Sequence, residues 1–325
     1  MARSDLLLAL VSSGAGGDEL AFRRAAEALI AEEAAKKHGV LAGQLSEALT
    51  RRSRATSSKV SMMSRSGASE GLLWETLPEH LLSDLVLTSR VREACRELIE
   101  EHHRRDLLRS HGLEPRHRVL LVGPPGGGKT TLADALAAEL SLPLLTVRYE
   151  GLIGSFLGET ASRMESLFDS VRTRPCVLFF DEFDSVAKER GDTHETGEIK
   201  RVVSSLLLQV DRLPSHVIVV AATNHAELLD RAVWRRMQLR LQLPAASRAG
   251  KMEWIQAWTA RTGIDLGVTP RTLADRLLTA SYAEVEDFVN DVHRRLVLSG
   301  PDADPRAVTS RMMGQWKERA DASSS

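Results

Sequence analysis

The chain has 325 residues, 43% hydrophobic and 27% charged, which is enough apolar material for a sizeable core and enough length for two domains. Its 43 basic and 44 acidic side chains leave a net charge of -1, so no overall field draws it to nucleic acid or to an anionic membrane. Two cysteines, Cys95 and Cys176, stand far apart and read as buried thiols of a cytoplasmic protein, not as a disulfide framework.

The first apolar run, Leu6 to Val11, is too short for a secretory signal, and Asp5 occupies what would be its basic segment. No other run approaches a membrane span. Residues 1–50 are expected to form a small helical unit, because Phe22, Ala25, Ala26, Leu29 and Ile30 fall on one stripe at helical spacing. Gly39 is a natural stop before a further short helix over 40–49. From 51 to 73 the composition turns to Ser and Arg with few apolar residues, which predicts a flexible linker.

From 74 to 246 short apolar runs alternate with helical stretches. The runs 118–123, 143–148, 176–181, 217–223 and 239–244 are predicted strands; 129–140, 161–171 and 197–211 are predicted helices. Strands without polar alternation, separated by helices, imply a parallel sheet covered on both faces, hence an α/β fold. Residues 247–325 read as helices and a tail, one helix opening with a capping box in which Ser281 is N-cap and Glu284 stands at N3.

Two motifs carry chemistry. "GPPGGGKT", comprising Gly123, Pro124, Pro125, Gly126, Gly127, Gly128, Lys129 and Thr130 and followed by Thr131, lies between a predicted strand and a predicted helix. That context defines a P-loop: glycines turn backbone N–H groups inward around phosphate oxygens, and the helix N-terminus adds its positive end. Lys129 is expected to reach the β- and γ-phosphates of ATP and Thr130 to hold Mg²⁺. "VLFFDEFD" (177–184) ends an apolar strand with acids, which a buried strand end tolerates only when they are paired or metal-bound. Asp181 is expected to bind the magnesium through water and Glu182 to polarise the attacking water, with Asp184 orienting the loop. The third stretch is "EGLIGSFLGET" (150–160), where Phe156 stands among glycines and small residues.

With these motifs, and with "AATNHAELLDRAVWRRMQLRLQLP" over 221–244, the chain resembles an AAA ATPase from about residue 74 to residue 300. The resemblance implies a P-loop NTPase sheet with a C-terminal helical lid, preceded here by the small N-terminal unit. It implies that Asn224 is the sensor that positions water, that Arg235 and Arg236 are fingers reaching a neighbouring subunit's nucleotide, and that Ala283 contacts the nucleotide from the lid. Phe156, Leu157 and Gly158 match the first pore loop, residues 190–198 the second, and 201–211 the helix before the sensor strand. The implied activity is ATP hydrolysis by a ring, a hexamer, that threads polypeptide past Phe156. Gly127 stands where Thr is usual, Met237 where an aromatic is usual, and no Arg is available as a second sensor.

The N-terminal unit, "LLRSHGLEPRHRVLLVGPPG" (107–126) and "AATNHAELLDRAVWRR" (221–236) also resemble the ATPase of bacterial two-gene pairs of an AAA ATPase and a subtilisin-like serine protease, associated with plasmid maintenance and phage defence. The chain has neither H-E-x-x-H nor G-x-S-x-G, so proteolysis would fall to a separate subunit. The alternative is a DNA-handling AAA ATPase, a loader or transposition regulator, using the basic stretch 100–118. The near-neutral charge and the aromatic pore loop count against nucleic acid as the partner.

Overall fold

The computed structural model describes residues 71–152, 157–184, 196–300 and 302–323. The helical unit over 1–50, nearly all of the linker, Phe156 and most of the second pore loop lie outside the described residues.

Six strands form one sheet: β1 (Leu73–Thr76), β2 (Arg118–Val122), β3 (Leu144–Val147), β4 (Cys176–Phe180), β5 (Val217–Thr223) and β6 (Leu239–Gln242). Their spatial order is β1-β3-β4-β5-β2-β6, with β1 antiparallel to β3 and the other pairs parallel. The five strands expected from sequence are all present. The sixth, β1, begins at the last residue of the segment read as linker. Its four residues, Leu-Trp-Glu-Thr, are at most partly buried, so they carry no continuous apolar run. The strand gains its place by pairing on the edge, extended by the Arg148 N–H donating to the Leu72 carbonyl at 2.9 Å.

Helices cover both faces. Before β2 come α1 (Ser89–His103) and α2 (Arg105–Ser110); α3 (Lys129–Glu139) follows β2. Between β3 and β4 lie α4 (Tyr149–Leu152) and α5 (Leu157–Arg172), between β4 and β5 α6 (Thr196–Asp211), and before β6 the short α7 (Arg231–Arg236). Helix α5 starts four residues earlier than the sequence pattern predicts, so Leu157 and Gly158, expected in a loop, open a helix whose first turn carries Glu159 at its positive end.

Alternation along each strand sorts the core. Leu178 and Phe180 face α5 and α6, where Phe180 packs on Phe168 with ring centres 6.5 Å apart, while Val177 and Phe179 face α1 and α3. Phe179 and Phe180 are fully buried, a gain of about 1.5–3 kcal/mol per side chain. Met237, placed where an aromatic was expected, is buried in the α5/α6 core, where its flexible thioether fills the space.

After β6 the chain is helical: α8 (Arg248–Thr262), α9 (Pro270–Arg276), α10 (Tyr282–Ser299) and α11 (Pro305–Ser323) enclose a core of their own that includes Ile255, Trp258, Leu273, Val285 and Phe288. The predicted capping box is present at the start of α10, with Ser281 Oγ accepting from the Glu284 N–H and Glu284 Oε2 accepting from the Ser281 N–H. Among the described residues no helix is long and apolar enough to cross a membrane.

Candidate nucleotide site

The loop Gly123–Gly128 leaves β2 at the carboxyl edge of the sheet and turns into α3. Gly123 is pinned between neighbouring strand ends: its N–H donates to the Thr223 carbonyl at 3.3 Å, and a Cβ there would collide with the Leu243 carbonyl oxygen. Gly126 (φ 66°) and Gly128 (φ 84°) occupy the left-handed region that glycine enters without penalty. A Cβ on Gly126 would also lie 2.5 Å from Ser281 Oγ, so this glycine lets the lid approach the loop. Contact is direct, since the Ala283 N–H donates to the Gly126 carbonyl at 3.3 Å.

Lys129, only 7% exposed, donates from Nζ to the Gly123 and Pro124 carbonyls at 2.9 Å and to Asn224 Oδ1 at 2.5 Å. Burial pushes its pKa below the ordinary lysine value, while Asp181, Asp184 and Glu182 pull it back. Three acceptors hold the ammonium at the loop, where phosphate oxygens could replace them.

Beside it, Thr130 Oγ1 donates to Asp181 Oδ2 at 3.0 Å, and Asp181 Oδ1 accepts the Glu182 N–H at 2.9 Å. Glu182 has φ 44°, a left-handed conformation that costs a non-glycine residue about 1–3 kcal/mol and is held by its surroundings. Those surroundings include the Phe183 N–H donating to the Ala222 carbonyl at 2.7 Å. Asp184, 4% exposed, accepts from Thr223 Oγ1 at 2.9 Å, and that hydroxyl accepts the His225 N–H at 3.0 Å. Asp184 therefore ties the acidic strand end to the loop that carries Asn224, as a side chain orienting the loop would.

These elements surround a cavity of about 740 Å³ lined by Pro125–Thr131, Asp181, Glu182, Asn224 and Ala283. The lining also includes Leu85, Val86, Trp254, Trp258 and Tyr282, and His80 borders it. Sequence reasoning missed this part of the wall. The available signal was the pair Trp254 and Trp258, four residues apart on one helix. His80 is held by α3, since Asp134 Oδ2 accepts from the backbone of Glu79 and His80 and contacts His80 Nδ1 at 2.7 Å.

Arg235 and Arg236 do not line the cavity. They end α7, whose N-cap Asp230 accepts from the Ala232 N–H, and they are not equivalent. Arg236 Nε contacts Asp211 Oδ2 at 2.6 Å, and Asp211 Oδ1 also accepts from Arg118 at 2.7 Å. Arg235 is exposed and has no hydrogen bond or ion pair among the described residues. The basic stretch 100–118 is largely compensated: Arg104 pairs with Glu100, Arg109 with Glu114, Arg116 with Glu97 and Glu101, and Arg118 with Asp211. His102 and His117 are buried, which pushes both below the usual histidine range.

The family described as "ATPase family associated with various cellular activities (AAA)" matches residues 119–245. The chain is 36% identical over 304 residues to an uncharacterised AAA family ATPase, y4kL, of Sinorhizobium fredii, covering 92% of this chain and 90% of that one. It is 43% identical over 132 residues to the peroxisomal ATPase pex6 of Schizosaccharomyces pombe, and 35% identical over 212 residues to that of Neurospora crassa. Those two matches span 39% and 62% of this chain but only 14% and 15% of the peroxisomal proteins. The chain belongs to the AAA family of ATPases, and ATP hydrolysis is its activity.

Proposed function

We propose that this ATPase is a protein remodeller that acts as a ring, a hexamer, and completes each nucleotide site with a residue of the adjoining subunit. The observation that carries the reading is a division of labour: Lys129, Thr130, Asp181, Glu182 and Asn224 converge on one cavity, while Arg235 stands outside it with a free guanidinium. An arginine supplied in trans neutralises transition-state charge only after assembly, so hydrolysis becomes coupled to the oligomer. Arg235 is the finger in this reading, and Arg236, paired with Asp211, anchors the helix that presents it.

Within the site, the loop N–H groups and Lys129 hold the phosphates, with Thr131 at the first turn of α3 and Ala283 closing from the lid. Thr130 and Asp181 offer neighbouring hard oxygen donors, the kind Mg²⁺ takes, and the ion would neutralise charge on the phosphates. Asn224 orients the attacking water and Glu182 removes its proton. The lytic carboxylate is thereby fixed on the strand end and the water between two named side chains.

The substrate we infer is polypeptide, gripped by Phe156 and Leu157 in the central channel. Support comes from chain order: the pair follows β3 and α4 in the sequence, as the first pore loop does in the family that the chain resembles. A partner subtilisin-like protease and a role in plasmid maintenance or phage defence, in the cytoplasm, are the narrower form of the proposal. They rest on the sequence resemblance of residues 21–45, 107–126 and 221–236. Stimulation of ATP turnover by an unfolded polypeptide, lost in Phe156→Ala, is the expected result. Stimulation by single-stranded DNA, unaffected by Phe156→Ala, would replace this reading with the DNA-handling one.

A further inference from the structure

Apart from the loop Pro125–Thr131 and the polar group Asp181, Glu182 and Asn224, the cavity wall comes from residues 80–87 and from the lid. A nucleotide whose phosphates occupy the loop has that wall for its sugar and base. The apolar part, Leu85, Val86, Trp254 and Trp258, can cover the faces of a purine but cannot tell one purine from another, since every base offers a face of the same kind. Discrimination needs a hydrogen-bonding group of fixed polarity on the same wall. His80 is such a group.

Its polarity is set by Asp134. Oδ2 of that carboxylate accepts the Glu79 N–H at 3.1 Å and the His80 N–H at 2.9 Å, so it is an unprotonated oxygen. The His80 ring meets the same oxygen through Nδ1 at 2.7 Å, and an oxygen that only accepts requires the proton to sit on Nδ1. In the neutral ring Nε2 then carries a lone pair and no proton, so it can accept and cannot donate. No hydrogen bond to Nε2 is made among the described residues. The imidazole is 46% exposed, whereas the carboxylate that orients it is 16% exposed. Asp134 stands five residues after Lys129 on α3, about 7.5 Å along the axis at about 1.5 Å per residue, so the ring is held away from the phosphate cradle.

We propose that His80 is a specificity-determining residue for the base: Nε2 accepts a hydrogen bond from the exocyclic amino group of adenine. Guanine would present a carbonyl oxygen there, and two acceptors facing each other leave both unpaired. The proposal rests on Pro125–Thr131 holding the phosphates. Two carboxylates also border the cavity; Asp84 already accepts the Leu81 N–H at 2.9 Å, and Glu286 belongs to the lid.

The test varies the ligand as well as the protein, in the full chain at pH 8, where a neutral imidazole is the ordinary form. Affinities for ATP, GTP, purine riboside triphosphate (ATP without its amino group) and inorganic triphosphate are measured by titration calorimetry. The proteins are wild type, His80→Ala, Glu286→Gln and Lys129→Ala. Wild type should bind purine riboside triphosphate about tenfold, and GTP about a hundredfold, more weakly than ATP. In His80→Ala, ATP should weaken about tenfold and its advantage over purine riboside triphosphate should vanish, with inorganic triphosphate bound as by wild type. Two outcomes overturn the proposal. One is a wild type that binds ATP and purine riboside triphosphate alike, a result that needs no variant to fold. The other is a His80→Ala protein that keeps the full difference; if Glu286→Gln loses it, the lid reads the amino group instead. Lys129→Ala keeps the two claims apart. If it binds inorganic triphosphate as tightly as wild type, the phosphate-cradle reading fails and the histidine proposal goes with it. If it binds inorganic triphosphate weakly while His80→Ala still distinguishes the two nucleotides, only the histidine proposal fails.

Discussion

One continuous segment of the cavity wall, Pro125–Thr131, is the loop read as the phosphate cradle, and its side chains Lys129 and Thr130 bond Asn224 and Asp181. The remaining lining comes from separated stretches around residues 80–87, 254–261 and 282–286, and much of it is apolar or aromatic. Phosphate recognition needs backbone N–H groups at fixed angles and one ammonium, so few sequences serve. An apolar wall needs only shape and area, which many sequences supply. The loop should therefore fail sharply on single substitutions and the apolar wall gradually.

Lys129→Ala is the harshest break. It removes the ammonium held by Gly123, Pro124 and Asn224, and ATP affinity measured by titration calorimetry should fall at least about a hundredfold, since a charged hydrogen bond is worth about 1.5–3 kcal/mol and the ammonium would make more than one to the phosphates. Glu182→Gln should leave affinity near wild type and reduce steady-state turnover about 10²–10⁴-fold, with ATP retained on the protein. Gly126→Ala comes next: the left-handed backbone and the approach of Ser281 both oppose a Cβ, and affinity should fall about tenfold. Trp254→Ala, in the apolar wall, should cost only a few-fold in ATP affinity, with the loss confined to ligands that carry a base; equal weakening of inorganic triphosphate would show that this wall does not face the base.

The same contrast explains what could be read from sequence. Strands β2 to β5 were legible because burial on both faces leaves them largely apolar, as Val217–Thr223 is, and β6, where buried leucines alternate with exposed Arg240 and Gln242, was legible as well. Edge strand β1 was not, since Leu73–Thr76 draws its place from partners distant in sequence. That Pro125–Thr131 and Asp181 would share one cavity followed from the two motifs, and that Asn224 would join them followed from the family resemblance. The unequal standing of Arg235 and Arg236 was not, because it depends on Asp211 reaching back from the end of α6.

That pair of arginines gives a second, smaller comparison. Arg236→Ala should lower the melting temperature by only a few degrees, since its ion pair with Asp211 is about one-third exposed and worth at most about 1 kcal/mol. Arg235→Ala should leave stability and ATP binding alone and reduce turnover about 10³-fold.

The central claim, that each site is completed by a second copy of the chain, is tested most directly by mixing. Arg235→Ala and Glu182→Gln subunits, each inactive alone, are combined in equal amounts and ATP turnover is measured. Recovery of a substantial fraction of wild-type turnover is expected, because an intact Glu182 then meets an intact Arg235 across the interface. No recovery in a mixture shown to co-assemble, or an Arg235→Ala protein that hydrolyses ATP at the wild-type rate by itself, would contradict it.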